Sequence, residues 1–201
     1  MSIQIYKPTK DNTGFGFSFS MGIDKKTNEP VLFVNGIAQY SWNNGVGSFQ
    51  KNSEDPNKNV ALKFNEFECG SIISCIKNRF EWNTFHQNKE NKTTIKFTPW
   101  DRSVKIQKFN PKTKNYDETY QTIPSFGMTI VKNGNQTFKL SLDPGESECI
   151  VKFLDFLLSK IYIHRSPASP DTVQGRQPLH KTIVYIFSLL HRVASVLPVF
   201  F

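Results

Sequence analysis

The sequence predicts an α+β fold in which two antiparallel sheets are each followed by a helix. In several segments of 14–142, most clearly in 14–22, apolar and polar residues alternate at every second position, as half-buried strands require. The alternation is interrupted near residue 65 and ends near residue 143. At both places apolar residues recur at helical spacing behind a residue suited to cap a helix. The order strands, helix, strands, helix is typical of α+β domains.

The first clear strand is 14–22, where phenylalanines alternate with small residues. An aromatic stripe at strand spacing is more often core than surface, so we expect these rings to be buried. Residues 31–40 form a hairpin with this strand across a long polar turn. A further strand is predicted at 59–64.

A short helix follows, over about 65–78. Asn65 is suited to cap it, and Glu68 stands three residues later, where the partner of a capping box belongs. Strands resume at 79–86 and 93–100 on either side of a polar turn.

Residues 104–109 are predicted to continue the strand 93–100 or to pair with it. The polar, charged stretch 110–119 is predicted to be a mobile loop. A tight hairpin then joins 126–131 to 137–142, because its turn, Asn-Gly-Asn at 133–135, has the residues that hairpin turns favour.

The last predicted element is a long helix. Asp143 can cap it, Pro144 suits its first position, and Glu146 occupies the capping-box position. Apolar residues at helical spacing between Ile150 and Ile161 predict a stripe that faces the core.

The chain is basic and rich in phenylalanine. Its 201 residues carry 25 basic and 17 acidic side chains, for a net charge of +8, and they include 18 phenylalanines. The length allows one or at most two domains. A basic balance with many flat rings is typical of proteins that bind a polyanion, nucleic acid above all.

The three cysteines indicate a reducing environment. Cys69, Cys75 and Cys149 form no CxxC pair and no even set of disulfides, so we expect buried, reduced thiols. The N-terminal stretch lacks the apolar segment of a secretory signal. We therefore expect an intracellular, reducing location.

The composition changes near residue 163. Every asparagine lies in 1–163, and the Pro-, Ser- and Gly-rich stretch 164–178 has the composition of a linker. We predict a binding domain at 1–163 and, at 164–201, a linker and hydrophobic tail that is disordered, binds a partner as a helix, or is a non-native extension. Charged residues and a proline interrupt the apolar stretch 183–201, so no membrane anchor is expected.

Three segments resemble the Whirly family of single-stranded-DNA-binding proteins and the related guide-RNA annealing proteins of mitochondrial RNA editing. They are FNEFECGSIISC (64–75), FEWNTFHQN (80–88) and FKLSLDPGESECIVKFLDFLLSKI (138–161). The resemblance covers roughly 2–162. It implies a ββββα-ββββα layout with two four-stranded sheets and a homo-oligomer, dimer or tetramer. A bacteriophage single-strand-binding protein of this fold fits the Lys- and Asn-rich composition as well.

Aromatic side chains are the candidates for stacking on bases, since every base offers a flat face. Tyr40 and Trp42 lie among Asn, Gly and Ser, where exposed rings favour binding. Trp82 is a candidate whose face of the strand the sequence leaves open. On 93–100, inward Ile95 and Phe97 leave Lys96 and Trp100 together on the other face.

Basic side chains are the candidates for phosphate contacts. Lys63, Lys77 and Arg79 cluster around the first helix, with a solvated basic surface as the alternative. Lys105 begins a run of lysines in 105–114, for which a solvated loop is the alternative.

No catalytic, metal-binding or cofactor-binding pattern stands out. The sequence holds no HExxH, CxxC, GxxxxGK or GxSxG motif. We expect a non-catalytic protein without cofactor that binds single-stranded DNA in replication, recombination or repair. The alternatives are an RNA-binding, annealing protein and a structural or transcription-regulating protein whose sheet binds protein.

Overall fold

The computed structural model describes residues 1–88 and 91–166. A single 3-10 turn at Gln50–Asn52 accompanies the strands and helices. In chain order these are β1 (Ser2–Lys7), β2 (Phe15–Ile23), β3 (Pro30–Ala38), β4 (Ser41–Asn43), β5 (Val46–Ser48), β6 (Asn59–Phe64), α1 (Glu66–Asn78), β7 (Trp82–Asn88), β8 (Asn91–Asn110), β9 (Asn115–Lys132), β10 (Gln136–Leu142) and α2 (Pro144–Arg165).

The strands form two four-stranded antiparallel sheets. Sheet 1 has the order β1-β2-β3-β6 and is followed by α1, and sheet 2 has the order β10-β9-β8-β7 and is followed by α2. The predicted α+β class, with antiparallel sheets and two helices, is confirmed. The layout departs from ββββα-ββββα by one feature, a small two-stranded hairpin, β4-β5, inserted before β6.

One core takes residues from both sheets and both helices. Phe17 and Phe19 of β2 are 1% exposed, which confirms the predicted burial of that stripe. Phe15 is only partly buried, and its ring lies 5.9 Å from that of Phe138 on β10. The inward side chains of β8, Ile95 and Phe97, are fully buried.

Both predicted helix caps are present. The side chain of Asn65 accepts from the backbone N–H of Glu68, whose carboxylate accepts from the backbone N–H of Asn65. Asp143 and Glu146 make the same reciprocal pair at the start of α2. Such a cap contributes about 1 kcal/mol to helix stability.

The carboxylate of Glu68 also ties α1 to sheet 2. Its Oε1 accepts a hydrogen bond from the Thr84 hydroxyl at 3.1 Å and lies 2.7 Å from Nε2 of His86. Both partners are on the core side of β7, and the ring of His86 packs 5.3 Å from that of Phe64 at the end of β6. One side chain therefore joins the beginning of the helix to the edge strand of sheet 2.

Several strands differ from the prediction. The prediction of a mobile loop at 110–119 is wrong, because β9 begins at Asn115 and only residues 111–114 separate it from β8. Both faces of this part of the ribbon meet water, so it lacks the apolar alternation that marks a half-buried strand. The strand predicted to begin at 79 begins at Trp82, because Arg79 takes a left-handed conformation (φ 53°) that ends α1. Strand β1 and the hairpin β4-β5 were not predicted from alternation.

Helix α2 continues to Arg165, two residues beyond the predicted boundary at 163. The guanidinium of Arg165 binds Glu29 at 2.7 Å and also pairs with Glu66, and it holds the pKa of Glu29 below its usual value. Most of the predicted tail, from 167 onward, lies outside the described residues. Within the described ranges, no helix combines the length and apolar character that crossing a bilayer requires.

The three cysteines differ in exposure. None of them is in a disulfide, and Cys69 and Cys75 are buried. Cys149 is exposed, contrary to expectation, because it lies on the solvent side of α2 beside the buried Ile150. Burial raises the pKa of Cys69 to about 12 and that of Cys75 to about 11. The intracellular, reducing location stays a prediction.

We expect iodoacetamide to modify the native protein at Cys149 alone. A raised pKa keeps the thiols of Cys69 and Cys75 protonated at pH values below 11, and the thiolate is the form that reacts. Mass spectrometry of the native protein should find one modified site. The same treatment in denaturant should modify all three cysteines, and fast native modification of Cys69 would contradict the structure.

Candidate nucleic-acid interface

Each strand of a sheet sends alternate side chains to opposite faces. In sheet 2 one face packs on the core and the other meets water. We call this second surface the outer face of sheet 2. The register of the strands assigns it Asn83, Phe85, Gln87, Lys92, Thr94, Lys96, Thr98, Trp100, Gly127, Thr129, Val131, Thr137, Lys139 and Ser141, together with the buried Ser125.

Two aromatic side chains project from this surface. Phe85 on β7 is 53% exposed and Trp100 on β8 is 45% exposed. Phe85 lies directly across from Thr94, so hydroxyl and amide side chains surround the rings. Large apolar groups exposed on a polar surface mark interaction sites, and flat rings suit a planar ligand.

The same surface is basic. Lys92, Lys96 and Lys139 are all exposed, and the register aligns Lys96 and Lys139 across Thr129 in one row. The outer face of sheet 2, as far as it is described, holds no carboxylate. Glu81, at its margin, forms an ion pair of 2.9 Å with Lys96. Both groups are nearly half exposed, so this pair is weak and open to competition by phosphate.

The outer face of sheet 1 is different. Tyr6, 50% exposed, covers Gly16 so closely that a Cβ there would lie 2.5 Å from the ring. A groove of about 340 Å³ beside it is lined by uncharged residues, both apolar and polar. Lys63 is the single charged side chain that β6 adds to this face, and it pairs with Asp24 at 2.9 Å. The backbone N–H of Lys26 and the ammonium of Lys63 hold the pKa of Asp24 below its usual value.

Two of the predicted binding residues, Lys96 and Trp100, lie together on the outer face of sheet 2, as their alternation with Ile95 and Phe97 indicated. Lys105 lies farther along β8, in the part where β8 pairs only with β9. It forms an ion pair with Glu118 of β9.

Tyr40 and Trp42 lie at the inserted hairpin. Tyr40 is 46% exposed, and the ammonium of Lys51 lies 4.9 Å from the centre of its ring. Trp42 is half-buried on β4. These two residues therefore belong to a region separate from the outer face of sheet 2.

The remaining predicted residues lie near the end of α1. Lys77 pairs with Asp155 of α2 at 3.6 Å, and Arg79 pairs with Asp101 at 2.7 Å. Trp82 is half-buried on the core side of β7, where its ring lies 5.9 Å from that of Phe97. The nine predicted residues therefore do not form one surface.

Phe85, Lys92 and Lys139 were not among the predicted binding residues, although the position of Lys139 carried a signal. Lys139 alternates with the buried Phe138 and Leu140, so its outward direction follows from the period of two. Phe85 is flanked by Thr84 and His86, and both faces of this strand carry polar and aromatic residues. The sequence therefore does not tell which face of β7 is exposed.

Comparison with known proteins supports the architecture. No protein-family profile and no curated protein matches the sequence. Among solved structures, the plant transcriptional regulator PBF-2 aligns over 94% of this chain and 96% of its own, with a TM-score of 0.50 and 10% identity. The chain has a Whirly-like fold. At this identity the match establishes the fold alone.

Two further structures are similar at lower scores. WHY1 from Arabidopsis thaliana aligns over 100% of this chain and 97% of its own, with a TM-score of 0.49 and 10% identity. The trypanosome proteins MRP1/MRP2 align over 84% and 99%, with a TM-score of 0.45 and 13% identity.

Proposed function

We propose that the protein binds single-stranded DNA, largely independently of sequence, through the outer face of sheet 2. One observation carries the proposal: Phe85 and Trp100 are exposed on a surface whose described charges are all positive. A role in replication, recombination or repair is part of the proposal.

The two rings supply sequence-tolerant contacts. Unpaired bases expose flat faces that a duplex hides, and each base stacked on an aromatic side chain contributes about 1–3 kcal/mol. Phe85 and Trp100 lie on different strands of one sheet. Two bases of one strand can therefore be stacked without any hydrogen bond that reads their identity.

The three lysines supply the phosphate contacts. Lys92, Lys96 and Lys139 project on the same side of the sheet as the rings. Each phosphate neutralised on a single strand releases counterions and adds about 0.7 to the dependence of log affinity on log salt. Binding through this surface is therefore sensitive to salt.

We further propose that the protein acts by binding and not by catalysis. The outer face of sheet 2 offers hydroxyl, amide and ammonium groups, but its described residues include neither the carboxylates that hold a metal ion nor a histidine that moves a proton.

Fluorescence anisotropy with labelled oligomers of about 16 nucleotides tests the proposal. We expect oligothymidylate to bind more than about tenfold more tightly than a duplex, since a duplex offers no base to the rings. Raising salt from about 50 to about 200 mM should weaken binding steeply. A matched RNA oligomer shows whether the protein prefers DNA. No binding of any single strand at low salt would refute the proposal and favour a protein-binding sheet.

Substitutions on the outer face of sheet 2 should separate its two kinds of contact. Phe85→Ser should weaken binding about 5–150-fold with an unchanged salt slope, because it removes one stacked base. The double variant K96Q/K139Q should reduce the salt slope by about 1.4, since two phosphate contacts are lost.

Tyr6→Ser is the matched control for Phe85→Ser, because it removes an equally exposed ring from the outer face of sheet 1. Circular dichroism verifies that each variant is folded. Equal losses for Tyr6→Ser and Phe85→Ser would show that sheet 2 is not the specific binding surface.

We also propose that the protein is a homo-oligomer, a dimer or tetramer. The helices α1 and α2 pack on each other yet leave Phe67, Phe156 and Ile163 exposed, at 78%, 40% and 67%. Exposed apolar groups of this size favour burial against a second copy. Light scattering should give a mass that is a multiple of 23.1 kDa, and a monomer at micromolar concentration would contradict the proposal.

A further inference from the structure

Strands β8 and β9 extend far beyond the rest of sheet 2. Strand β7 ends its pairing opposite Phe97, and β10 ends opposite Phe126. From the pair Asp101–Pro124 to the pair Asn110–Asn115, β8 and β9 pair only with each other. We call this ribbon, residues 101–124, the arm. At about 3.3 Å per residue, its paired part is about 30 Å long.

The arm has no core of its own. Apart from Val104, Ile106, Asn110 and Ile123, which are half-buried, every residue of the arm is exposed. An isolated two-stranded ribbon is marginally stable in water at best, because neither of its faces is covered. A ribbon of this length is therefore expected to gain stability from something that binds it.

One face of the arm is aromatic. Phe109, Tyr116 and Tyr120 project from the same face, with exposed fractions of 57%, 65% and 72%. Phe109 and Tyr116 are cross-strand partners near the tip, and their ring centres are 5.5 Å apart. Tyr120 lies across from Lys105, so a cation stands beside the third ring.

The arm also has an excess of unpaired positive charge. Its three carboxylates already have partners: Asp101 binds Arg79, Glu118 binds Lys105, and Asp117 accepts from the amide of Asn110. Four basic side chains of the arm have no carboxylate partner in the part of the chain that the structure describes. They are Arg102 and Lys108, on the face opposite the rings, and Lys112 and Lys114, in the turn at the tip.

This combination favours a polyanion over a protein as the occupant of the arm. Lysine is depleted from protein–protein interfaces, where burying an unpaired ammonium is costly. Single-stranded nucleic acid satisfies both features, because its phosphates neutralise lysines and its bases stack on exposed rings.

We propose that the arm is a second binding surface for single-stranded DNA, in which Phe109, Tyr116 and Tyr120 stack on bases while Lys112 and Lys114, in the turn at the tip, contact phosphates. This inference rests on the proposed function and extends it to a surface outside the outer face of sheet 2. Binding orders the arm, since the bound strand covers a face that water covers in the free protein.

Two arm variants test the proposal by anisotropy with oligothymidylate. F109S/Y116S/Y120S should weaken binding by at least about tenfold with an unchanged salt slope, because stacking is lost. K112Q/K114Q should lower the salt slope by about 1.4, since up to two phosphate contacts are lost. The matched control K10Q/K25Q removes two exposed lysines outside both surfaces and should leave the slope nearly unchanged.

Hydrogen exchange gives an independent readout on the unaltered protein. Amides of 101–124 should exchange rapidly in the free protein, because a ribbon without a covered face is only marginally stable. They should become protected when oligothymidylate binds.

Three outcomes would overturn the proposal. If both arm variants bind like the wild type while Phe85→Ser binds weakly, the arm inference is wrong and the proposed function stands. If the wild type binds no single strand, the arm inference and the proposed function are both wrong. If the arm variants change the mass found by light scattering without changing the affinity of each protomer for DNA, the arm is a contact between copies of the chain.

Discussion

The architecture depends on the burial of one face of each sheet against a shared core. Phe17 and Phe19 of sheet 1, and Ile95 and Phe97 of sheet 2, are almost completely removed from water. A shift of one residue in any of these strands would exchange the buried and exposed sets, so the register is strongly determined. The surface available for binding follows from this constraint, because every second side chain must project outward.

Local chemistry determined much of what the sequence could predict. The capping residues Asn65 and Asp143 act on residues three positions away, and the alternation around Lys96 lies within one strand. Contacts between residues far apart in the sequence were harder to predict. Trp82 faces the core because β7 packs against the buried side of sheet 2. The second strand of the arm was predicted as part of a loop, because a strand that meets water on both faces needs no apolar alternation. Periodicity reports burial, so unburied strands carry no such signal.

The positive charge of the chain illustrates a second limit. Lys63, Lys77, Arg79 and Lys105 were predicted as phosphate contacts, and each forms an ion pair within the protein. Composition counts charges but does not tell which of them are already neutralised. Lys92 and Lys139 on the outer face of sheet 2, and Lys112 and Lys114 on the arm, form no ion pair among the described residues, and only the three-dimensional contacts distinguish them from the paired lysines.

The carboxylate of Glu68 has a consequence for Phe85. Thr84 and His86, the residues on either side of Phe85, are both held by Glu68 on the opposite face of β7. An edge strand anchored on both sides of one residue has little freedom to twist or slip. The backbone that carries Phe85 is therefore pre-organised, and a ligand that stacks on its ring loses little affinity to the entropy of ordering this strand. The capping residue of α1 thus restrains the backbone at a residue that it does not contact.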